Sequence, residues 1–510
     1  MKKLLAIILS LCFLLSVAVG CASNGDKPSD STTKQSGDVT TAEGTGEETT
    51  AADTEPFYKD LDYEGAEINI AYRAERYDEY VLGEEGGDVL WASIYDTNII
   101  ISDTLGVTVN FIPGSTDQGG FISQAIAESI ADNCYEIILS DQYYGTASAT
   151  VGAYKNVLDL DGDVNYIDIS KPCWYGDYLS KITMHNDTLY FLAGDISPTI
   201  LGWASCSFVN HSLYSDVFGD TDEFLKSVLD GKWTIDVLME KSKAVYIDVN
   251  QNNRMDLDDR LGSATSKGQA AQFALIAAGF QFVRTLNDGS LELAMDTERN
   301  ADIFNKLCDL YQHTEGFTTY DYSSTPNGNS ETFAEGRMLF MNEYILYAFR
   351  EQLREMTDPY VIIPRPKADE QEDKYHSSLQ DSLFLYTIPK SVDPSKDEMV
   401  SAFIQTACLL YNEKVVPAMF DTALKVKFVA DEVDVEMAGK LIDLVRTGIT
   451  TDFSLVYDSS TGFAAQVSSI IQSGLGKWST VLAQTDRHKT TLANLLDKFE
   501  QLRQREKNQK

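Results

Sequence analysis

Histidine and cysteine are scarce in this chain, and neither is spaced for chemistry. The five histidines, His185, His211, His313, His376 and His488, lie far apart, with no H-E-x-x-H pair to hold zinc. No G-x-S-x-G turn presents a nucleophilic serine, and no G-x-x-x-x-G-K-[ST] loop cradles a phosphate. Beyond Cys21 only Cys134, Cys173, Cys206, Cys308 and Cys408 remain, an odd and scattered set that gives no disulfide framework. Mostly buried thiols are expected, with room for one pair. Positive charge is also short: 41 Lys and Arg against 78 Asp and Glu leave a formal net charge of −37. So acidic a chain offers no basic surface to nucleic acid. It equally disfavours anionic ligands, unless the charge is locally reversed. After the first twenty residues, no apolar run is long enough to span a bilayer.

What is present begins at the N-terminus. Lys2 and Lys3 precede the apolar run LLAIILSLCFLLSVAV, which leads to Gly20. A basic start, an apolar stretch and small residues at the cut describe a removable secretory signal over 1–20. Cys21 follows at once and resembles the lipobox cysteine of a bacterial lipoprotein. Lipidated there, the chain is expected at the extracellular face of the cytoplasmic membrane, held by its lipid anchor only. Residues 21–56 are Ser, Thr, Gly, Asp and Glu with almost no large apolar side chain, the composition of a disordered tether.

The body of roughly 450 residues exceeds one ordinary core and calls for two domains. "AEINIAYR" and "GVTVNFIP" alternate apolar and polar residues as strands do, and "YEIILSD" is a short apolar run that suits a buried parallel strand. Helical spacing from Ile94 to Leu105, and through Ile122, Ile126 and Ile130, separates them. That succession predicts βαβ units, a parallel sheet and an α/β fold. Further on, "DTLYFLAGDIS", "WASCSFVN", Met338–Met341, "DPYVIIPRPK" and "SLFLYTIPK" read as strands. "EMVSAFIQTACLLYNE" and the closing stripe Leu492, Leu495, Leu496, Phe499 and Leu502 read as helices with core-facing sides.

Several stretches, in order, carry a resemblance: the lipobox and acidic tether, "ISKPCWYG", "DGKWTIDVLMEKSK", "FAEGRMLFMNE", "IIPRPKADEQEDKYH" and "VVPAMFDTALKVKFVADE". The chain resembles the extracellular carbohydrate-type (family 1-like) solute-binding lipoproteins of ABC importers. The resemblance implies a two-lobed, type II periplasmic-binding-protein-like fold that hinges shut on a solute. It also implies ABC permease subunits as partners, and the chain is expected to act as a monomer. The lobes are expected at 57–150 plus 357–412, and at 151–356 plus 413–510. Two departures bear on the ligand. Cys173-Trp174-Tyr175 stands where relatives often carry a double tryptophan, and Arg365 where they often carry an aromatic.

A sugar site needs aromatic faces for the C–H patches of the ring and fixed polar groups for its hydroxyls. In parallel sheets ligands bind beyond the carboxyl ends of the strands. Strand ends and family positions together give Arg73, Asp141 and Tyr144 from one lobe, and Trp174, Tyr175, Trp203, Asn342, Glu343, Tyr344 and Phe463 from the other lobe or the rim. Each has a plainer alternative in packing or as a surface group, and Trp233 reads as structural. A surface glycosidase working with two carboxylates, or a sugar-binding adhesin without a hinge, stays open on composition alone.

One loop points to a metal. In "DVNQNNRMDLDD", residues 248–259, Asp248, Asn250, Asn252, Asp256 and Asp259 fall at positions 1, 3, 5, 9 and 12 of an EF-hand-type calcium loop. Arg254 would give its backbone carbonyl at position 7. Asn253 replaces the usual turn glycine, and Asp259 the usual glutamate. A calcium sensor uses paired loops and a switchable groove. A single loop is expected to hold calcium as a structural staple, away from the solute.

Overall fold

The computed structural model describes residues 56–74, 78–132, 134–427, 434–474 and 476–509. The expected signal, Cys21 and residues 22–55 of the tether lie outside them. Strands β1 (Ala66–Arg73), β2 (Val107–Gly114) and β3 (Ile137–Asp141) run parallel in the order β3-β1-β2. They are linked by helices α1 (Val89–Leu105) and α2 (Gln118–Asp132), as the alternating pattern predicts. Strand pleating sends successive side chains to opposite faces. Ile68, Ile70 and Tyr72 join Leu90, Ile94, Ile101 and Leu105 of α1 in the main core. Ala71 and Ile138 meet Phe121, Ile122 and Ala125 of α2 in a separate cluster. Helix α1 begins ahead of Ile94 because Asp88 caps it, accepting the Val89 N–H at 2.7 Å. It ends at Gly106, whose φ of +60° and contact with Asp62 leave no room for a Cβ.

The second sheet contains β4 (Ser205–Asn210), β5 (Leu261–Ser266), β6 (Phe317–Tyr320), β7 (Met338–Tyr344) and β8 (Tyr360–Pro364), in the order β8-β4-β7-β5-β6. Only β4 runs against the others. Its support includes α3 (Ile235–Val245), packed against β5, and Trp233, whose indole is fully buried and donates to the Pro364 carbonyl at 3.0 Å. The first sheet gains its fourth strand late, when β9 (Phe384–Thr387) pairs antiparallel with β3. The chain therefore passes between the sheets after β3, again after β8, and once more between α4 (Asp397–Pro417), packed on α1, and α5 (Val435–Thr447), packed on β8.

Two expectations change. Strand β8 was placed by the 357–412 boundary in the first lobe, yet it pairs with β4 of the second sheet. Its run is buried on both faces, and such a run does not encode which sheet it joins. "DTLYFLAGDIS" forms no sheet strand but only isolated bridges, including Leu192 with Tyr386 and Gly194 with Trp174. It is buried from Thr188 onward because it crosses the molecule's interior between the sheets. The C-terminal stripe behaves as read: Leu492, Leu495 and Phe499 of α7 (Thr485–Gln509) are buried, with Leu496 and Leu502 packed against the core. The five cysteines Cys134, Cys173, Cys206, Cys308 and Cys408 are free thiols, and all but Cys134 are buried. No helix among the described residues is long and apolar enough to cross a membrane.

Candidate functional site

The carboxyl ends of β5, β7 and β8 and the start of β4 come together at one edge of the second sheet. Register fixes the neighbours: Ser205 opens β4 opposite Tyr344, which closes β7, and Cys206 pairs with Pro364, so Arg365 emerges beside them. Beyond this edge lies a cavity of about 390 Å³, within the range of small-ligand sites.

One side of the cavity is aromatic. Trp203 and Tyr344 meet edge to face at 5.2 Å, Phe273 stands 6.1 Å from Tyr344, and Tyr347 continues the row at 6.5 Å. Tyr322, 49% exposed, stands at the mouth. These rings offer both faces and edges to an apolar surface.

The other side is polar and charged. Asn342 is buried with both ends engaged: its Oδ1 accepts from Ser207 at 2.6 Å, and its Nδ2 donates to Ser263 at 2.9 Å. It serves to fix β7 against its neighbours more than to reach into the cavity. Glu343 is buried and accepts from Asn329 Nδ2 at 2.7 Å. Burial pushes its carboxyl above the usual range, while that hydrogen bond and the Arg350 and Arg365 guanidiniums pull it partly back. At the rim, Asp381 accepts from Gln269 at 2.7 Å and from Gln380 at 2.8 Å.

Of the residues picked out by sequence, Trp203, Asn342, Glu343 and Tyr344 line the cavity. The others lie elsewhere. Arg73 and Asp141, at adjacent strand ends of the first sheet, form a buried ion pair at 3.0 Å, with Gln118 donating to the same carboxylate oxygen. Tyr144 is 41% exposed and lies edge-on to Tyr143. Burial raises the phenol of its neighbour Tyr143, with Asp458 and Asp381 adding to the shift. Trp174 and Tyr175 are core residues: the indole donates to Gln405 at 3.1 Å and the phenol to Asp195 at 2.7 Å. Phe463 is fully buried 4.4 Å from the His488 ring. All three stand in short polar or Pro- and Gly-flanked stretches, where sequence alone does not show that long helices cover Trp174 and Phe463 or that Asp195 takes the Tyr175 hydroxyl.

Sequence reasoning passed over Lys267, Arg350 and Arg365, and the loop from Ser266 to Gln269. One signal was there, the arginine at 365 in place of an aromatic. Arg350 had none, because its place depends on the 3₁₀ turn Ile345–Phe349 that carries it past the end of β7.

In the 248–259 loop, Asp248 accepts the N–H groups of Asn252 and Asn253 at 3.2 and 3.0 Å, and Asp259 those of Val249 and Asp256 at 3.1 and 3.2 Å. Asn253 adopts φ +57°, as the turn position requires. Among the described residues, no three His, Cys, Asp or Glu side chains converge as a metal site.

No protein-family model matches the chain, and no curated protein matches it in sequence. Solved structures do match its shape. The cyclic α-maltosyl-1,6-maltose binding protein from Arthrobacter globiformis superposes with a TM-score of 0.53 at 11% identity, over 85% of this chain and 99% of that one. The galacto-N-biose/lacto-N-biose I-binding protein of the Bifidobacterium longum ABC transporter, solved with lacto-N-biose, gives 0.53 at 11% over 86% and 98%. A cyclo/maltodextrin-binding protein complexed with maltotetraose gives 0.51 at 9% over 86% and 97%. At such identities the likeness is one of architecture, and it extends over nearly the whole of each neighbour. The chain has the two-lobed α/β fold of the ABC-transporter solute-binding proteins.

Proposed function

We propose that this chain is an extracellular, lipid-anchored solute-binding protein that captures a sugar or oligosaccharide and hands it, chemically unchanged, to the permease of an ABC importer. The observation that carries the reading is the cavity at the carboxyl edge of the second sheet. There an aromatic row of Trp203, Tyr344, Phe273 and Tyr347 faces amide and charged groups, the combination a pyranose ring needs. Glu343 is the only acidic side chain among the cavity's lining residues, whereas glycoside hydrolysis works with a pair. That favours capture over cleavage. The test is a thermal-shift and calorimetric screen of the full chain against neutral and acidic oligosaccharides, with scattering to follow compaction and product analysis to follow turnover. Binding with compaction and no released reducing ends is expected. Steady hydrolysis by the pure protein, or no binding across the panel, would overturn the reading.

We also propose that the 248–259 loop holds a structural calcium ion. Asp248, Asn250, Asn252, Asp256 and Asp259 with the Arg254 carbonyl supply oxygen donors in the required order, and Asn253 makes the sharp turn. The loop is closed at its base by the Ile247–Arg260 bridge, so a cation there would brace α3 against β5. Chelator should lower the melting temperature of the wild type and leave the Asp248→Ala/Asp256→Ala variant unmoved. An unchanged wild-type melt in EDTA would refute it.

A further inference from the structure

The charge of the cavity runs opposite to the charge of the chain. The whole protein carries −37, a field that repels anions at long range. The cavity lining holds three cationic side chains, Lys267, Arg350 and Arg365, against one carboxylate, Glu343. Lys267 is exposed at the entrance, while the two arginines are half-buried.

What the arginines are bonded to is informative. Several buried or half-buried arginines elsewhere among the described residues have carboxylate partners: Arg73 has Asp141, Arg299 has Asp369 and Glu372, Arg446 has Asp195, while Arg260 donates to the Val245 carbonyl. Among the described residues, no hydrogen bond or ion pair occupies the guanidinium of Arg365 or Arg350. The Arg350 guanidinium sits over the Tyr347 ring, its carbon 3.8 Å from the ring centre, a contact that engages its π face and not its N–H donors. Glu343 feels both guanidiniums from a distance, but a single buried carboxylate already bonded to Asn329 offsets at most one of them. Asp381, at the rim, accepts from Gln269 and Gln380, but amide donors do not neutralise it; counted with Glu343 it makes two carboxylates against the three cationic side chains. A surplus of positive charge therefore stays inside the cavity, on donors whose fork geometry suits a planar anion.

We infer that the solute is an anionic saccharide, whose acidic substituent is held between Arg365 and Arg350 while its sugar ring lies along the Trp203–Tyr344 side. The inference rests on the proposed sugar-binding role and narrows it. The shared chemistry is an oxyanion on a sugar; a uronate carboxylate, a sulfate and a phosphate are its sources.

The deciding experiment is calorimetry of the full chain against matched sets. Neutral malto-, cello- and galacto-oligosaccharides form one arm. The same oligosaccharides oxidised at C6 to uronates form the second, and their 6-sulfated and 6-phosphorylated counterparts the third. At least one acidic member is expected to bind tenfold or more tighter than its neutral parent, with an affinity that falls as salt rises; which acidic arm wins identifies the anion. Arg365→Gln and Arg350→Gln should each erase the preference of the acidic member over its neutral parent, read as the ratio of the two affinities in the same variant, and Arg365→Lys should restore part of it. Neutral parents binding as tightly as their acidic forms would overturn the inference and leave the sugar-binding reading standing. Binding by no member of any arm would remove both.

Discussion

The carboxyl edges of the two sheets end in different ways, and the contrast bears on why the second opens onto the cavity lined by Trp203, Tyr344 and Arg365. At the carboxyl edge of the first sheet, Arg73 and Asp141 project from neighbouring strands and neutralise each other at 3.0 Å, essentially without solvent. At the corresponding edge of the second, Arg365 and Arg350 stand with a single carboxylate between them and a cavity above. The rule that ligands gather at the carboxyl ends of parallel strands picks out both edges. It does not say whether the groups found there are available. An arginine that has met its carboxylate inside the protein has its charge compensated there; on the proposed reading, Arg365 and Arg350 are left to meet the solute.

The comparison breaks most visibly under substitution of one charge at each edge. Asp141→Ala removes one charge of a buried pair, and loss of one partner of such a pair costs about 3–5 kcal/mol. Urea denaturation should show a loss of that size for Asp141→Ala, and a change within about 1 kcal/mol for Arg365→Ala, a residue only partly buried. Ligand affinity should respond in the opposite order. If Arg365→Ala unfolds the protein as severely as Asp141→Ala does, the second edge is structural too, and the distinction between them is lost.

The contrast also marks what could be read from sequence. Strand pattern and helix spacing gave β1 to β3, α1 and α2 because each of those elements has one buried and one less buried face, or a clear apolar run, and the pattern is local. Trp203, Asn342, Glu343 and Tyr344 were within reach because they sit at the ends of such strands. Strand β8 was assigned to the wrong sheet because sheet membership is settled by pairing with a strand some 150 residues away in sequence, Val361 opposite Val209, and nothing local records it. Trp174, Tyr175 and Phe463 misled for a related reason: Gln405 of α4 and His488 of α7, which cover Trp174 and Phe463, are distant in the chain. The arginine pair is illegible because a sequence shows charges and not which of them have found partners.

A smaller effect sharpens the picture of the cavity's mouth. Tyr322 lines it while 49% exposed, so Tyr322→Ala should leave stability within about 0.5 kcal/mol. An aromatic contact is worth about 0.5–1.5 kcal/mol, so the bound saccharide should weaken roughly two- to tenfold. Unchanged affinity would place the sugar ring deeper, against Trp203.

The smallest effect lies beside the helix that follows β3. Asp458 stands in the turn ahead of helix α6 (Phe463–Gln472), accepts the Ala464 N–H at 3.2 Å, and packs in a segment that touches the helix after β3. Burial, with Asp381 nearby, raises its carboxyl from 3.8 to about 6. The native state then keeps a proton that the unfolded chain has already released, so the stabilisation present below 3.8 is lost as pH rises through about 6. Urea midpoints of the wild type should carry a downward contribution across that window, and Asp458→Asn, which cannot titrate, should remove it and stand relatively more stable at neutral pH. Asp381 and Tyr143 face the same space, so Asp381→Asn should shift the wild-type window downward without abolishing it. Parallel pH profiles for wild type and Asp458→Asn would show that water reaches this junction freely and that the carboxylates there are solvated like any on the surface.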